Sequence, residues 1–128
     1  MNEAVKKSGE NMKQAEIKPL ITIDDLDKID VRVGTIIDVL DVNKSDKLMK
    51  LIVDFGDHQR SILSGIKRER NDPYEIKGKQ ALFVVNLPER KMAGETSQGM
   101  VFDIGYADKL VPCLAIPETA ILNGSRAG

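Results

Sequence analysis

The sequence predicts a mainly β domain, and three observations carry that prediction. Apolar residues alternate with polar ones over several short runs rather than recurring at helical spacing. Turn-forming clusters of Gly, Asn, Asp and Pro separate those runs. The only convincing helical signals are brief, at Thr22–Lys28 and around Pro73. A chain of 128 residues suits one such domain with a modest core.

Residues 1–18 are polar and charged, with almost nothing to bury, and read as a flexible tail; the folded domain is expected over 19–128. Thr22 followed by Asp25 has the form of a capping box, opening a short helix that turns Leu26 and Ile29 toward a core. Val31, Val33, Thr35, Ile37 and Val39 fall at alternate positions of a first strand. Gly34 within it predicts a bulge or strong bend. Asn43–Asp46 is a turn, and Lys47 to Phe55 a second strand with Met49, Leu51, Val53 and Phe55 on one face. Gly56-Asp57 turns the chain into a third strand, Arg60 to Ser64. Asn71-Asp72-Pro73 marks a helix start, closed by Gly78. Ala81–Asn86 and Gly99–Ile104 read as strands four and five, with Arg90 to Met100 a loop between them.

Three strands, a short helix and two more strands give a five-stranded barrel of the oligonucleotide/oligosaccharide-binding (OB) type, with short helices and a C-terminal extension. The apolar segment Leu110–Ile116 lies in that extension. It either covers its own barrel or builds a contact between two subunits.

Charge is distributed unevenly. The net charge is −1, yet residues 44–91 hold 11 Lys/Arg against 7 Asp/Glu, while residues 1–43 hold 6 against 9 and residues 92–128 hold 2 against 4. A basic middle can serve an anionic partner within a neutral chain. The Arg90–Met100 loop adds two cations, small polar side chains and two glycines that let a backbone approach a phosphate. Phe55, Phe83 and Phe102 sit on strands and are expected in the core. That leaves few aromatics to stack successive bases, so folded RNA is a better ligand than a single strand.

Catalysis finds little support. His58 lies in a polar hairpin turn, Cys113 beside Pro112 reads as a packed small residue, and Ser64 and Ser97 have no base within local reach. No ligand cluster calls for a metal, and nothing calls for a cofactor. The single cysteine fits a reducing compartment and no apolar run could span a bilayer, so a cytoplasmic protein without a membrane partner is expected. We therefore expect a binding protein, not an enzyme.

Asp30-Val31-Arg32-Val33-Gly34, Lys44-Ser45-Asp46-Lys47-Leu48, Ser64-Gly65-Ile66, Val85-Asn86-Leu87 and Ser97-Gln98-Gly99-Met100 follow one another in register. Together they resemble the tRNA-binding domain at the C-terminus of methionyl-tRNA synthetases, shared by stand-alone structure-specific tRNA-binding proteins. The resemblance covers about residues 22–126. It implies an OB fold, tRNA as partner without strict sequence preference, a homodimer, and an aminoacyl-tRNA synthetase as a further candidate partner.

Carried over by position, it implies an RNA face of Lys44, Lys47, Asn86, Arg90, Lys91, Ser97 and Met100. The cations would meet phosphates, Asn86 and Ser97 would hydrogen-bond sugar or base edges, and Met100 would offer an apolar surface to a base or else join the core. Asp30 and Arg32 either pair with each other or reach RNA. Val42-Asn43 replaces a His-Pro pair common in that family. The stretch Phe102–Asp108 resembles homodimeric secretion-related chaperones on the same domain, which bind unfolded polypeptides. Those chaperones generally lack the Ser-Gly-Ile and Ser-x-Gly-Met elements, so the alternative ranks second.

Overall fold

A computed structural model describes residues 14–128; residues 1–13 of the expected tail lie outside the described residues. Helix α1 is a single turn, Ile23–Leu26, and begins with the expected capping box. The Asp25 N–H donates to Thr22 Oγ1 at 3.1 Å, and the Thr22 N–H to the Asp25 carboxylate at 3.4 Å. Five antiparallel strands then curl into an OB-type barrel. β1 (Val31–Asp41), β2 (Met49–Asp54), β3 (Gln59–Ser64), β4 (Gln80–Val84) and β7 (Met100–Val101) lie in the order β3-β2-β1-β4-β7. Between β3 and β4 run a one-turn helix α2 (Ile66–Glu69), which the sequence did not announce, and a 3-10 turn at Pro73–Ile76 capped by Asp72.

β1 serves two neighbours in succession. Residues 31–35 pair with β4, residues 35–41 with β2, and the register with β2 slips between Ile36 and Asp38. The bulge therefore falls at Ile37 rather than at Gly34. One extra residue reverses which side chains face inward. Ile36 and Val39 both enter the core, while Ile37 does not, so the simple alternation read through Val39 is broken. Gly34 has a different task. A Cβ on it would lie 2.5 Å from Val53 Cγ1 and 2.9 Å from Phe55 Cε1, so the bend brings β1 directly onto the interior side chains.

The barrel interior is filled by Ile36, Val39, Met49, Leu51, Val53, Phe55, Ile62, Ile66, Ile76, Ala81 and Phe83. Phe55 meets Phe83 edge-on, with ring centres 5.6 Å apart. Phe102 does not join them and is 45 % exposed. Its N–H still bonds to the Leu82 carbonyl, but the chain then leaves the barrel as β8 (Asp103–Ile104) to pair with β9 (Cys113–Leu114). The expected fifth strand is thus two short strands. Leu26 and Ile29 are also exposed rather than in the core, because α1 lies outside the barrel wall. Cys113 is exposed as well, contrary to the packed position expected of it.

The C-terminal extension works as a strap. Where β2 leaves the edge of β1, residues 123–127 take over. The Val33 N–H donates to the Ser125 carbonyl, the Gly124 N–H donates to the Val33 carbonyl, and β10 (Arg126–Ala127) pairs with Val31 and Arg32. Gln80 and Thr35 both hold the Asn123 side chain. The segment 110–116 covers its own barrel only in part. Leu114 packs on the core and the Ala115 carbonyl accepts from Leu82, whereas Val111 and Ile116 stay exposed.

Candidate nucleic-acid interface

The stretch expected as a loop between strands four and five is a β-hairpin. β5 (Arg90–Met92) pairs with β6 (Glu95–Ser97), setting Arg90 opposite Ser97 and Lys91 opposite Thr96. Its two-residue turn is Ala93-Gly94, with φ of 51° and 80°. Two positive φ values are the pattern of a type I′ turn, whose twist matches paired strands. Met92 and Ala93 fold onto a small apolar cluster of Val42, Leu48 and Leu63, outside the barrel interior. The hairpin thereby covers the outer face of β2 and β3. Lys50 of β2 pairs with Glu95 of β6 across this contact, at 2.9 Å.

This docking brings two expected groups of residues together. Lys44, in the β1–β2 turn, lies beside the hairpin tip, where a Cβ on Gly94 would sit 3.7 Å from its Nζ. Ser45 shapes that turn, its Oγ accepting from the Lys47 and Leu48 N–H groups. Lys44, Lys47, Arg90 and Lys91 are all exposed. Among the described residues none of the four has a carboxylate within 4.0 Å. The flanking cations differ. Lys67 pairs with Asp41, Arg68 with Asp46, Arg70 with Glu75 and Lys77 with Asp38. Hydrogen bonds from Tyr74 and then Lys67 hold the Asp41 carboxyl below its ordinary range, and the Arg68 guanidinium does the same for Asp46. Those two carboxylates stay charged and offset their partners. Unpaired positive charge is concentrated where the turn meets the hairpin.

The other three expected site residues separate. Met100 is 48 % exposed, on β7 next to the hairpin, and does not join the core. Asn86 is tied within the protein, its Oδ1 accepting from the Asp30 N–H at 2.9 Å and its Nδ2 donating to the Lys28 carbonyl at 2.7 Å. It fastens the α1–β1 connection to the end of β4. Ser97 is 3 % exposed, and its hydroxyl accepts from the Leu63 N–H and donates to the Gly99 carbonyl, both at 3.0 Å. The Ser97 hydroxyl is buried and turned to the edge of β3, whereas Asn86 stays exposed with its amide engaged by the backbone of residues 28 and 30. Asp30 and Arg32 pair with each other at 3.0 Å, and Arg126 adds a second cation. The Arg32 hydrogen bonds hold the Asp30 carboxyl below its ordinary range.

The structure adds Lys50, Glu95 and Gln98 to this surface. Strand alternation points Lys50 outward but does not reveal that a hairpin lies over it. His58 is exposed in its turn, bonded to Asp57 and Arg60 and stacked on Phe55.

Residues 31–125 match the family described as putative tRNA binding domain. The chain belongs to that family. The methionine–tRNA ligase of Archaeoglobus fulgidus is 38 % identical over 126 residues, which is 98 % of this chain and 18 % of that protein. That of Clostridium perfringens is 42 % identical over 122 residues, covering 95 % and 19 % respectively. The chain thus spans less than a fifth of the length of these relatives. Among solved structures, the MetRS related protein from Pyrococcus horikoshii superposes with a TM-score of 0.79 at 33 % identity, over 87 % of this chain and all of that one. The CsaA chaperone protein from Picrophilus torridus superposes at 0.72 with 29 % identity, over 85 % and 100 %. In this tRNA-binding domain the Ser-x-Gly-Met element is the seam between hairpin and barrel. Among the described residues no helix is long and apolar enough to cross a membrane.

Proposed function

We propose that this chain binds folded tRNA, without catalysis, through the end of the barrel where the β1–β2 turn meets the hairpin. The observation that carries the reading is the set of four exposed cations lacking carboxylate partners, beside neighbours whose charges are offset. Lys44, Lys47, Arg90 and Lys91 would take backbone phosphates. Met100 would give a base an apolar rest. Phosphate contacts fix position and shape without reading sequence, which suits a folded RNA. A tRNA ligand fits a cytoplasmic location.

A homodimer accompanies this reading. Leu26, Ile29, Phe102, Ile104, Tyr106 and Val111 are all exposed apolar side chains, more than a lone chain needs to leave in water. A gel-shift salt series with tRNA and an unstructured RNA tests the main proposal. Binding should favour tRNA and weaken steeply between 50 and 200 mM salt, by on the order of tenfold or more for several phosphate contacts. Affinity indifferent to salt, or salt-tolerant binding of unfolded polypeptide in place of tRNA, would favour the chaperone alternative.

A further inference from the structure

Among the described residues, no strand ladder joins β3 to β7, yet the barrel is not open there. Residues 96–99 run along the free edge of β3 and bond to it largely through side chains. The Ser61 N–H donates to Gln98 Oε1 at 2.9 Å, the Ser61 carbonyl accepts from the Gln98 N–H at 2.8 Å, and Ser61 Oγ donates to the Thr96 carbonyl at 3.2 Å. Two residues on, the Leu63 N–H donates to Ser97 Oγ. Arg60 Nη1 ties the Gln98 carbonyl to that of Val85, at 3.1 and 2.7 Å. The alternate N–H groups of β3, at residues 61 and 63, thus find side-chain oxygens where a ladder would have supplied carbonyls.

This seam has no slack. Gly99 has φ of 151°, and a Cβ there would lie 2.9 Å from the Val84 carbonyl oxygen. The chain passes β4 at backbone contact before joining it as β7. Ser97 is also the direct pairing partner of Arg90, and Thr96 of Lys91. A displacement of Ser97 therefore passes to Arg90 through the two-stranded ladder. The hairpin is held at two points: its tip on the Val42–Leu48–Leu63 cluster, and its base on Ser97 and Gln98.

We infer that Ser97 and Gln98 form a clasp that sets the Arg90–Lys91 arm in register with Lys44 and Lys47, and that Ser97 supports tRNA binding without touching RNA. This rests on the tRNA-binding reading above. The hydroxyl is buried, its one proton is donated to the Gly99 carbonyl, and its remaining lone pair is not presented to a base or sugar. Ser97 and Gln98 are positioning residues for the cations they hold.

A double-mutant cycle tests the inference. The tRNA affinity and its salt slope are measured for the wild-type chain, Ser97→Ala, the Arg90→Ala/Lys91→Ala pair, and the triple variant, at a temperature where circular dichroism shows all four folded. Ser97→Ala should weaken tRNA binding by about tenfold and flatten the salt slope toward that of the Arg90/Lys91 pair. In the background lacking both cations it should cost less than about twofold. Amide exchange should quicken at residues 90–97 and stay unchanged in β1 and β2.

An equal loss in both backgrounds would show direct contact and overturn the clasp. So would a lower melting temperature with affinity and slope unchanged. Gln98→Ala, half-exposed and removing one bond to β3, should give the same pattern on a smaller scale, and decides the matter should Ser97→Ala not fold. A wild-type chain that fails to bind tRNA would defeat the tRNA reading itself, whereas salt-dependent wild-type binding with an additive cycle would defeat the clasp alone.

Discussion

Replacing Gly34 with alanine adds one methyl group to the most crowded point of the barrel. Its Cβ would sit 2.5 Å from Val53 Cγ1 and 2.9 and 3.1 Å from two Phe55 ring carbons, all well inside van der Waals contact. Val53 is fully buried and Phe55 nearly so. Valine has little rotamer freedom with which to yield. Phe55 is held by Phe83 on one side and His58 on the other, with the Arg60 guanidinium 5.8 Å from its ring centre. Overpacking of this kind costs about 1–3 kcal/mol, and the upper half applies where two buried neighbours must both move. Against it stands a gain of about 0.4–1 kcal/mol from restricting the unfolded chain. The net loss is about 1–2 kcal/mol, or a fall in melting temperature of roughly 4–8 °C for a domain of this size. Urea denaturation should show a lower midpoint with an unchanged m-value. A variant that melts at or above the wild-type temperature would refute the argument that Gly34 is required by close approach.

Further outcomes follow from the site and its flanks. Arg90→Ala with Lys91→Ala removes two phosphate ligands and should reduce the salt slope of tRNA binding by about 1.5, measured by filter binding from 50 to 200 mM salt. An unchanged slope would place the phosphates elsewhere. Asn86→Ala should destabilise the fold by about 1 kcal/mol through loss of the Lys28 and Asp30 bonds, while tRNA affinity of the folded protein changes less than about twofold. Thermal melts and tRNA titration check both halves.

Burial raises the Asp103 carboxyl above its ordinary 3.8, and burial with repulsion from Asp103 raises Glu69 above 4.5. A carboxyl raised on folding binds its proton more tightly in the native state, so its ionisation weakens the fold at neutral pH, and that penalty disappears as pH falls through the native value toward the unfolded one. Asp103→Asn should therefore raise the melting temperature at pH 7, and the gain should shrink toward pH 4. A gain of equal size at both pH values would contradict that account.

Much of the barrel could be read from residues because its signals are local. The capping box needs only Thr22 and Asp25 three apart, and the hairpin between β2 and β3 needs only alternation around Gly56-Asp57. The features that escaped depend on distant partners. Ala93-Gly94 lacks the Asn-Gly or Asp-Gly signature of a two-residue hairpin, and alanine reaches positive φ here because Met92 and Ala93 are held on an apolar cluster formed by residues 42, 48 and 63. Apolar character placed Leu26, Ile29 and Phe102 in the core, but hydrophobicity alone does not decide burial, and much of a folded surface is apolar.

The exposure of the four candidate cations was legible for a physical reason: a charged side chain at a turn stays in solvent unless an opposite charge meets it. Asn86 and Ser97 were harder. A short polar side chain can face RNA or complete a backbone, and only the geometry of residues 28–30 and 61–63 shows which backbone groups need completing.

The strap along β1 has a consequence for how the domain can be carried. Val31 lies opposite Ala127, so the chain enters and leaves the barrel side by side, at the spacing of paired strands, about 5 Å. Anything fused before or after the barrel therefore departs from a single corner, and a linker of a few residues could join the two points without disturbing a strand. Lys44 lies beyond the opposite end of β1, whose 11 residues span at most about 35 Å. A barrel tethered at that corner points its cations away from the tether, toward whatever a larger neighbour holds within reach.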